Sequence, residues 1–244
     1  MDGLSYLEAR GRRLACRSRA GRGPTLVFLP GYASDMEGGK ACALDAWAAA
    51  QGRAMLRFDY GGCGASGGAF EDETLASWRD DALAMIDHVE GPVVLIGSSM
   101  GGWLMLLAAL ARPERVAALV GIAAAPDFTD WGYSDAQKAQ IAADGRLEEP
   151  NPYGDSPTVT TQAFWDSGQA LLLLDAPIGL DCPVRLLHGQ QDPDVPWALA
   201  LDLAGRLRSA DVQTLLVKDG DHRLSREGDI ALLIATISSL LESL

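Results

Sequence analysis

The scarcities of this chain narrow it first. Its 244 residues hold three histidines and four cysteines. Cys16, Cys42, Cys63 and Cys182 are scattered without a C-x-x-C pair, which argues against zinc or dithiol chemistry and for free thiols in a reducing compartment. No metal and no organic cofactor is expected. No apolar run is long enough to span a membrane, and the N-terminus lacks a signal-peptide core. Basic residues number 20 against 33 acidic ones, a formal net charge of −13. That excess opposes binding to a phosphate backbone, so nucleic acid is not expected as a partner. Arg10, Arg12, Arg13, Arg17, Arg19 and Arg22 superficially resemble a transit peptide, but Gly11, Gly21 and Gly23 spoil an amphipathic helix there. A cytoplasmic protein is the expectation, and the oligomeric state stays open.

What is present is core. Hydrophobic residues make up 48% of the chain, and the length suits one domain, 1–244. Residues 4–8 and 12–19 predict an antiparallel pair turning at Arg10-Gly11. Short apolar strands are expected at 24–29, 54–58, 93–96, 116–124, 183–187 and 212–217. Helices are expected at 40–51, 74–89, 103–111, 196–208 and 230–241, the second carrying Leu75, Trp78, Ala82, Met85, Ile86 and Val89 near one face. Alternation of buried strands with helices predicts an α/β fold with a mostly parallel sheet covered on both faces. Between 126 and 181 the rhythm breaks. Phe128, Trp131, Tyr133, Tyr153, Phe164 and Trp165 stand there among acids and prolines, and the segment is expected to be a cap inserted over the strand ends.

The chain is organised around Val93-Val94-Leu95-Ile96-Gly97-Ser98-Ser99-Met100-Gly101-Gly102. An apolar strand runs into Gly-x-Ser-x-Gly, and a helix follows until Arg112-Pro113 stops it. Strand, sharp turn and helix are the context in which a serine hydroxyl is lifted above a sheet edge as a nucleophile. At Gly97 and Gly101 a Cβ is expected to collide with the neighbouring strand or helix. Such a serine needs a base, and in this arrangement the chain order is nucleophile, acid, base, each on a loop after a later strand. His88 sits near a helix C-terminus and His188 at a strand end, where structural roles suffice. Only His222, just after the final strand, satisfies the order. Asp192, on the loop after the preceding strand, is the expected acid, with Asp194 as runner-up. Asp219 and Asp221 lie on the loop of His222 itself and are expected to shape its turn. Donors for a developing oxyanion are expected from the backbone N–H groups of Met100, after the nucleophile, and Tyr32, on the loop after the third strand. Trp103, Trp131, Phe164 and Trp165 are candidate walls of an apolar substrate pocket.

At this point a family is recognisable. Leu29-Pro30-Gly31-Tyr32, Arg57-Phe58-Asp59-Tyr60, the stretch from Gly97 on to Leu106, Arg185-Leu186-Leu187-His188-Gly189, Val195-Pro196-Trp197 and Asp221-His222-Arg223 together resemble α/β-hydrolases. Among these, they are similar to the mitochondrial members acting as S-acyl-protein thioesterase and acyl-glucuronide esterase. The resemblance implies the α/β-hydrolase fold, a Ser99–Asp192–His222 triad and hydrolysis of small-molecule carboxylic esters or thioesters through an acyl-enzyme. It does not extend over 128–177, so the substrate is not carried over. Pro193 stands where an acidic residue is the pattern, which leaves the geometry of that loop open. The mitochondrial address is not carried over because the N-terminus begins almost directly at the first expected strand. Cleavage of another bond type (carbon–carbon or amide) on the same fold is the first rival. A non-catalytic ligand-binding protein and a structural interaction protein are the rivals from other classes.

Overall fold

Period-two side chains on the central strands sort the interior into two cores. The computed structural model of the protein describes residues 3–150 and 157–244. Strands β1 (Ser5–Ala9), β2 (Arg12–Arg19), β3 (Arg22–Leu29), β4 (Arg53–Phe58), β5 (Val93–Ser98) and β6 (Val116–Ile122) precede a short pair, β7 (Arg146–Glu149) and β8 (Thr158–Thr161). Strands β9 (Val184–Gly189) and β10 (Val212–Val217) follow. The main sheet runs β1-β2-β4-β3-β5-β6-β9-β10, with β1/β2 and β2/β4 antiparallel and every other pair parallel. Parallel neighbours need long crossovers, and helices supply them. The opening hairpin turns at Arg10 and Gly11, both with positive φ.

In β3, Leu26 and Phe28 face one core while Val27 and Leu29 face the other; β5 repeats this with Val94 and Ile96 against Val93 and Leu95. Helices α1 (Gly39–Ala50) and α8 (Glu227–Glu242) fill the first core with Leu44, Leu233 and Ile237. Helices α2 (Leu75–His88), α3 (Met100–Ala111) and α7 (Ala198–Arg206) fill the second with Trp78, Met85, Trp103 and Leu203. The α2 stripe is buried as the periodicity predicts, with one addition: Asp81 lies inside it, accepting Gly61 N–H at 2.9 Å. A capping box opens α2, Thr74 Oγ1 accepting from Ser77 N and Ser77 Oγ accepting from Thr74 N.

The segment joining β6 to β9 is more regular than its sequence rhythm implies. It carries α4 (Phe128–Trp131), α5 (Asp135–Asp144), the antiparallel β7/β8 pair and α6 (Gln162–Gln169). Helix α5 escaped notice because it buries one side chain, Ile141, and has no apolar stripe; its ends are set by a Ser134–Gln137 capping box and by Gly145 at φ +76°. The segment is tied to the sheet body where Ala76 N–H donates to Ser167 Oγ (2.9 Å) and Trp103 Nε1–H to Leu171 O (3.2 Å). Tyr153, expected among its aromatics, lies outside the described residues.

Candidate active site

Ser99 occupies the one-residue corner between β5 and α3, with φ 54° and ψ −120°. This backbone is costly for a non-glycine residue and persists because its surroundings hold it. Ser99 N–H donates to Ile122 O (2.9 Å), while Ser99 O accepts from Gly102 N (2.8 Å) and Ala125 N (3.1 Å). The flanking glycines are close-approach positions, as their places in the motif predict. A Cβ on Gly97 would stand 2.3 Å from Gly101 O, and one on Gly101 would stand 2.1 Å from Leu29 O and 2.5 Å from Pro30 O. Gly102 belongs with them, since its Cβ would meet that of Ala124 at 2.5 Å.

Such contacts are with backbone and cannot be relieved by a rotamer. Gly101→Ala is therefore expected to lower stability by about 3 kcal/mol, the upper part of the overpacking range. The check is a thermal melt beside Gly205→Ala in α7, where a Cβ meets nothing within 4 Å and helix propensity favours alanine. Equal melting temperatures for the two variants would contradict the close packing at the corner.

The loops bearing Asp192 and His222 are brought together by a second backbone approach. Gly189, ending β9, lies so near the loop after β10 that a Cβ would be 2.3 Å from Gly220 O, and Gln191 N–H donates to that same oxygen at 2.9 Å. Across this junction His222 Nδ1 lies 2.8 Å from Asp192 Oδ2, and His222 Nε2 lies 3.1 Å from Ser99 Oγ. The three residues thus form an unbroken line of contacts. Asp194, the runner-up acid, instead gives its backbone N–H to Asp192 Oδ1 at 2.8 Å. Asp221 accepts Leu224 N–H within its turn, and Asp219 pairs with Arg226 at 2.8 Å, the structural parts expected of both. His88 is exposed at the end of α2.

The Asp192 side chain is fully buried, whereas that of His222 keeps 15% of its exposure. Burial pushes the Asp192 carboxyl upward, but hydrogen bonds from His188, His222 and the Val195 N–H prevail and hold it well below the usual carboxylate range. An ionised acid behind Nδ1 orients the imidazole so that Nε2 can take a proton from Ser99 and stabilises the cation that results. Asp192, Asp194 and His222 also present ligand atoms within 4.8 Å of one another. The contacts of Asp192 and His222, however, run to each other, to Ser99 and to backbone N–H groups.

A cavity of about 680 Å³ opens over Ser99 and His222. Tyr32 and Met100 both line it, and among the described residues no backbone carbonyl accepts either N–H. Met100 opens α3, where the helix dipole favours negative charge. The loop of Gly31 packs closely on the Ser99 corner, where a Cβ on Gly31 would lie 3.3 Å from Ser98 O and 3.4 Å from Ser99 Cβ. Of the four expected wall residues, Trp131 lines the cavity; Trp103, Phe164 and Trp165 do not. Trp103 and Phe164 are buried in the core behind it, and Trp165 donates its Nε1–H to Thr129 O (2.9 Å). Their place at the wall is taken by Phe128, Tyr133 and the Tyr32 ring, which packs against Phe70, Trp78, Phe128 and Phe164. The expected apolar pocket is in fact mixed, because elements distant in sequence add Lys40 of α1, Glu149 of β7, Asp194 and Arg223 to its lining. Burial pushes the Lys40 ammonium down to about 8, and it donates to Arg223 O.

Comparison with known proteins identifies the family and the fold. Residues 23–147 match the family model described as serine aminopeptidase, S33. Over 236 residues the chain is 41% identical to human mitochondrial palmitoyl-protein thioesterase ABHD10, covering 95% of this chain and 77% of that protein. The mouse protein is 44% identical over 237 residues, with 95% and 80% covered. Among solved structures, mouse alpha/beta hydrolase domain-containing protein 10 superposes with a TM-score of 0.92 at 41% identity, with 99% of each chain covered. A putative hydrolase from Agrobacterium vitis S4 gives 0.91 at 39%, with 98% of each chain covered. The relatives are named as mitochondrial, which overturns the cytoplasmic expectation. That expectation rested on free thiols and on Gly11, Gly21 and Gly23 breaking any amphipathic helix in the Arg-rich opening stretch, features that say the compartment is reducing without saying which it is. With more than two fifths of its residues shared with the mouse relative across nearly its whole length, and with this sheet, this chain belongs to the α/β-hydrolase family.

Proposed function

We propose that the protein is a serine-dependent acyl thioesterase and esterase acting on apolar acyl groups. The observation that carries this is the unbroken line Ser99–His222–Asp192 at the mouth of a cavity, 3.1 Å and 2.8 Å between successive partners. His222 Nε2 takes the proton as Ser99 Oγ bonds to the substrate carbonyl carbon. The Tyr32 and Met100 N–H groups receive the oxyanion. Collapse breaks the carbon–sulfur or carbon–oxygen bond, and His222 returns the proton to the departing thiol or alcohol. Water, deprotonated by His222, then releases the acid and restores Ser99. The palmitoyl-protein thioesterase relatives support a thioester as substrate, and Phe128 and Trp131 in the cavity lining support an apolar acyl chain.

A second reading, amide cleavage, is favoured by the serine aminopeptidase description of the matching family model. A panel of S-acyl-cysteine thioesters, p-nitrophenyl esters of increasing chain length and an aminoacyl p-nitroanilide separates the two. Turnover of thioesters and esters with no release from the anilide is the expected result; the reverse order would install the amide reading. Within that panel, Trp131→Ala is expected to raise KM for the longest acyl chains about tenfold with kcat little changed, since it removes apolar contact common to ground and transition states. An unchanged chain-length profile would remove Trp131 from the acyl site.

A further inference from the structure

We propose that His188 is the positioning residue of the acid, holding Asp192 in the orientation and charge distribution that His222 requires. The inference rests on the triad reading given above. His188, next to last in β9, lies fully inside the protein at 1% exposure, and its Nε2 lies 3.1 Å from two oxygens: Val195 O, with which it hydrogen-bonds, and Asp192 Oδ2. Two acceptors cannot both face a bare lone pair, so Nε2 carries a hydrogen. The opposite nitrogen, Nδ1, is buried with no partner among the described residues. A hydrogen there would be an unsatisfied buried donor, so the ring carries its single hydrogen on Nε2.

The consequence is a carboxylate surrounded by donors. Asp192 Oδ1 accepts the backbone N–H groups of Asp194 and Val195 at 2.8 Å each; Oδ2 faces His222 Nδ1 at 2.8 Å and His188 Nε2 at 3.1 Å. His188 works at both ends of this turn. Through Val195 O it anchors the residue whose N–H holds Oδ1, and its own N–H dipole draws charge from the oxygen that meets His222. The ionisable group it meets is Asp192, which also meets His222, and both lie on the two loops joined at Gly189 and Gly220. Its sequence trace is slight, a histidine four residues before the acid.

Three variants test the inference, alongside wild type and Ser99→Ala on one good ester. Glutamine places an amide N–H where Nε2–H stood, leucine has none, and asparagine is too short to reach either oxygen. His188→Leu is expected to lower kcat/KM roughly 10- to 100-fold, the range for one hydrogen bond to a charged group. It is also expected to move the acid limb of the kcat/KM profile to higher pH, because the undiluted carboxylate favours the imidazolium form of His222, which cannot accept the serine proton. His188→Gln is expected to recover most of the rate with the limb where wild type has it. His188→Asn should follow leucine, and substitutes for it if leucine prevents folding. Wild-type kinetics in the leucine or asparagine variant would overturn the inference. So would equal impairment of all three with an unmoved acid limb, which would mean packing alone. If wild type shows no Ser99-dependent turnover, the triad reading and this inference fall together; if Ser99 dependence stands and the His188 variants do not differ, only this inference falls.

Discussion

Ser99→Ala and His222→Ala, assayed singly and together, are expected to lower kcat by the same factor, on the order of 10⁴–10⁶, with the double variant no worse than either. The reason is the geometry of one shared proton. Ser99 Oγ is a weak nucleophile until His222 Nε2, 3.1 Å away, accepts its hydrogen, so removing either group removes the same event. What survives comes from binding and from the oxyanion donors, which neither substitution touches. Folding is not at issue for Ser99→Ala, since the corner is held by main-chain bonds to Ile122, Gly102 and Ala125. A covalent serine probe gives the independent readout: wild type should label and Ser99→Ala should not. Factors that multiply in the double variant would mean that the two groups act separately. Retention of activity by Ser99→Ala would remove the serine mechanism and bring a ligand-binding role forward.

Asp192→Asn is expected to lower kcat by about 10⁴ while leaving the fold intact. The surroundings dictate how the amide must sit. The Oδ1 site receives two backbone N–H groups, so only the amide oxygen can occupy it. The amide NH₂ is thereby forced into the Oδ2 site, facing His222 Nδ1 and His188 Nε2. Nδ1 must then become an acceptor, and the imidazole hydrogen moves to Nε2, where it points at Ser99 and can no longer take a proton. The substitution also leaves two N–H groups confronting each other at His188. Measured kcat within tenfold of wild type would contradict the assignment of Asp192 as the acid; in that event Asp194→Asn becomes the informative variant.

How much of this was readable beforehand depends on how local each feature is. The Val93–Ser98 strand, the corner at Ser99 and the helix after it are encoded within twenty residues, by apolar runs and by glycines whose Cβ atoms have no room. The triad candidates were readable because chain order on this fold restricts the acid and base to particular loops. The cavity wall was not. Trp103 and Phe164 have the residue type of a pocket wall, yet both are consumed by the core, the commoner fate of a large aromatic. Helix α5 was invisible because an exposed helix with one buried side chain has no hydrophobic period to detect.

Sequence by itself determined the sheet, its two-faced burial, the strand–helix corner at Ser99 and the family, since alternation, glycine spacing and matched motifs are properties of neighbouring residues. Tertiary structure alone decided which residues line the cavity, that Lys40, Glu149 and Arg223 line it together with Phe128, and that His188 and His222 meet at one carboxylate oxygen. Those pairings join residues dozens to over a hundred positions apart. They depend on where packed strands end and on two loops touching backbone to backbone at Gly189 and Gly220, a closeness that no local pattern encodes.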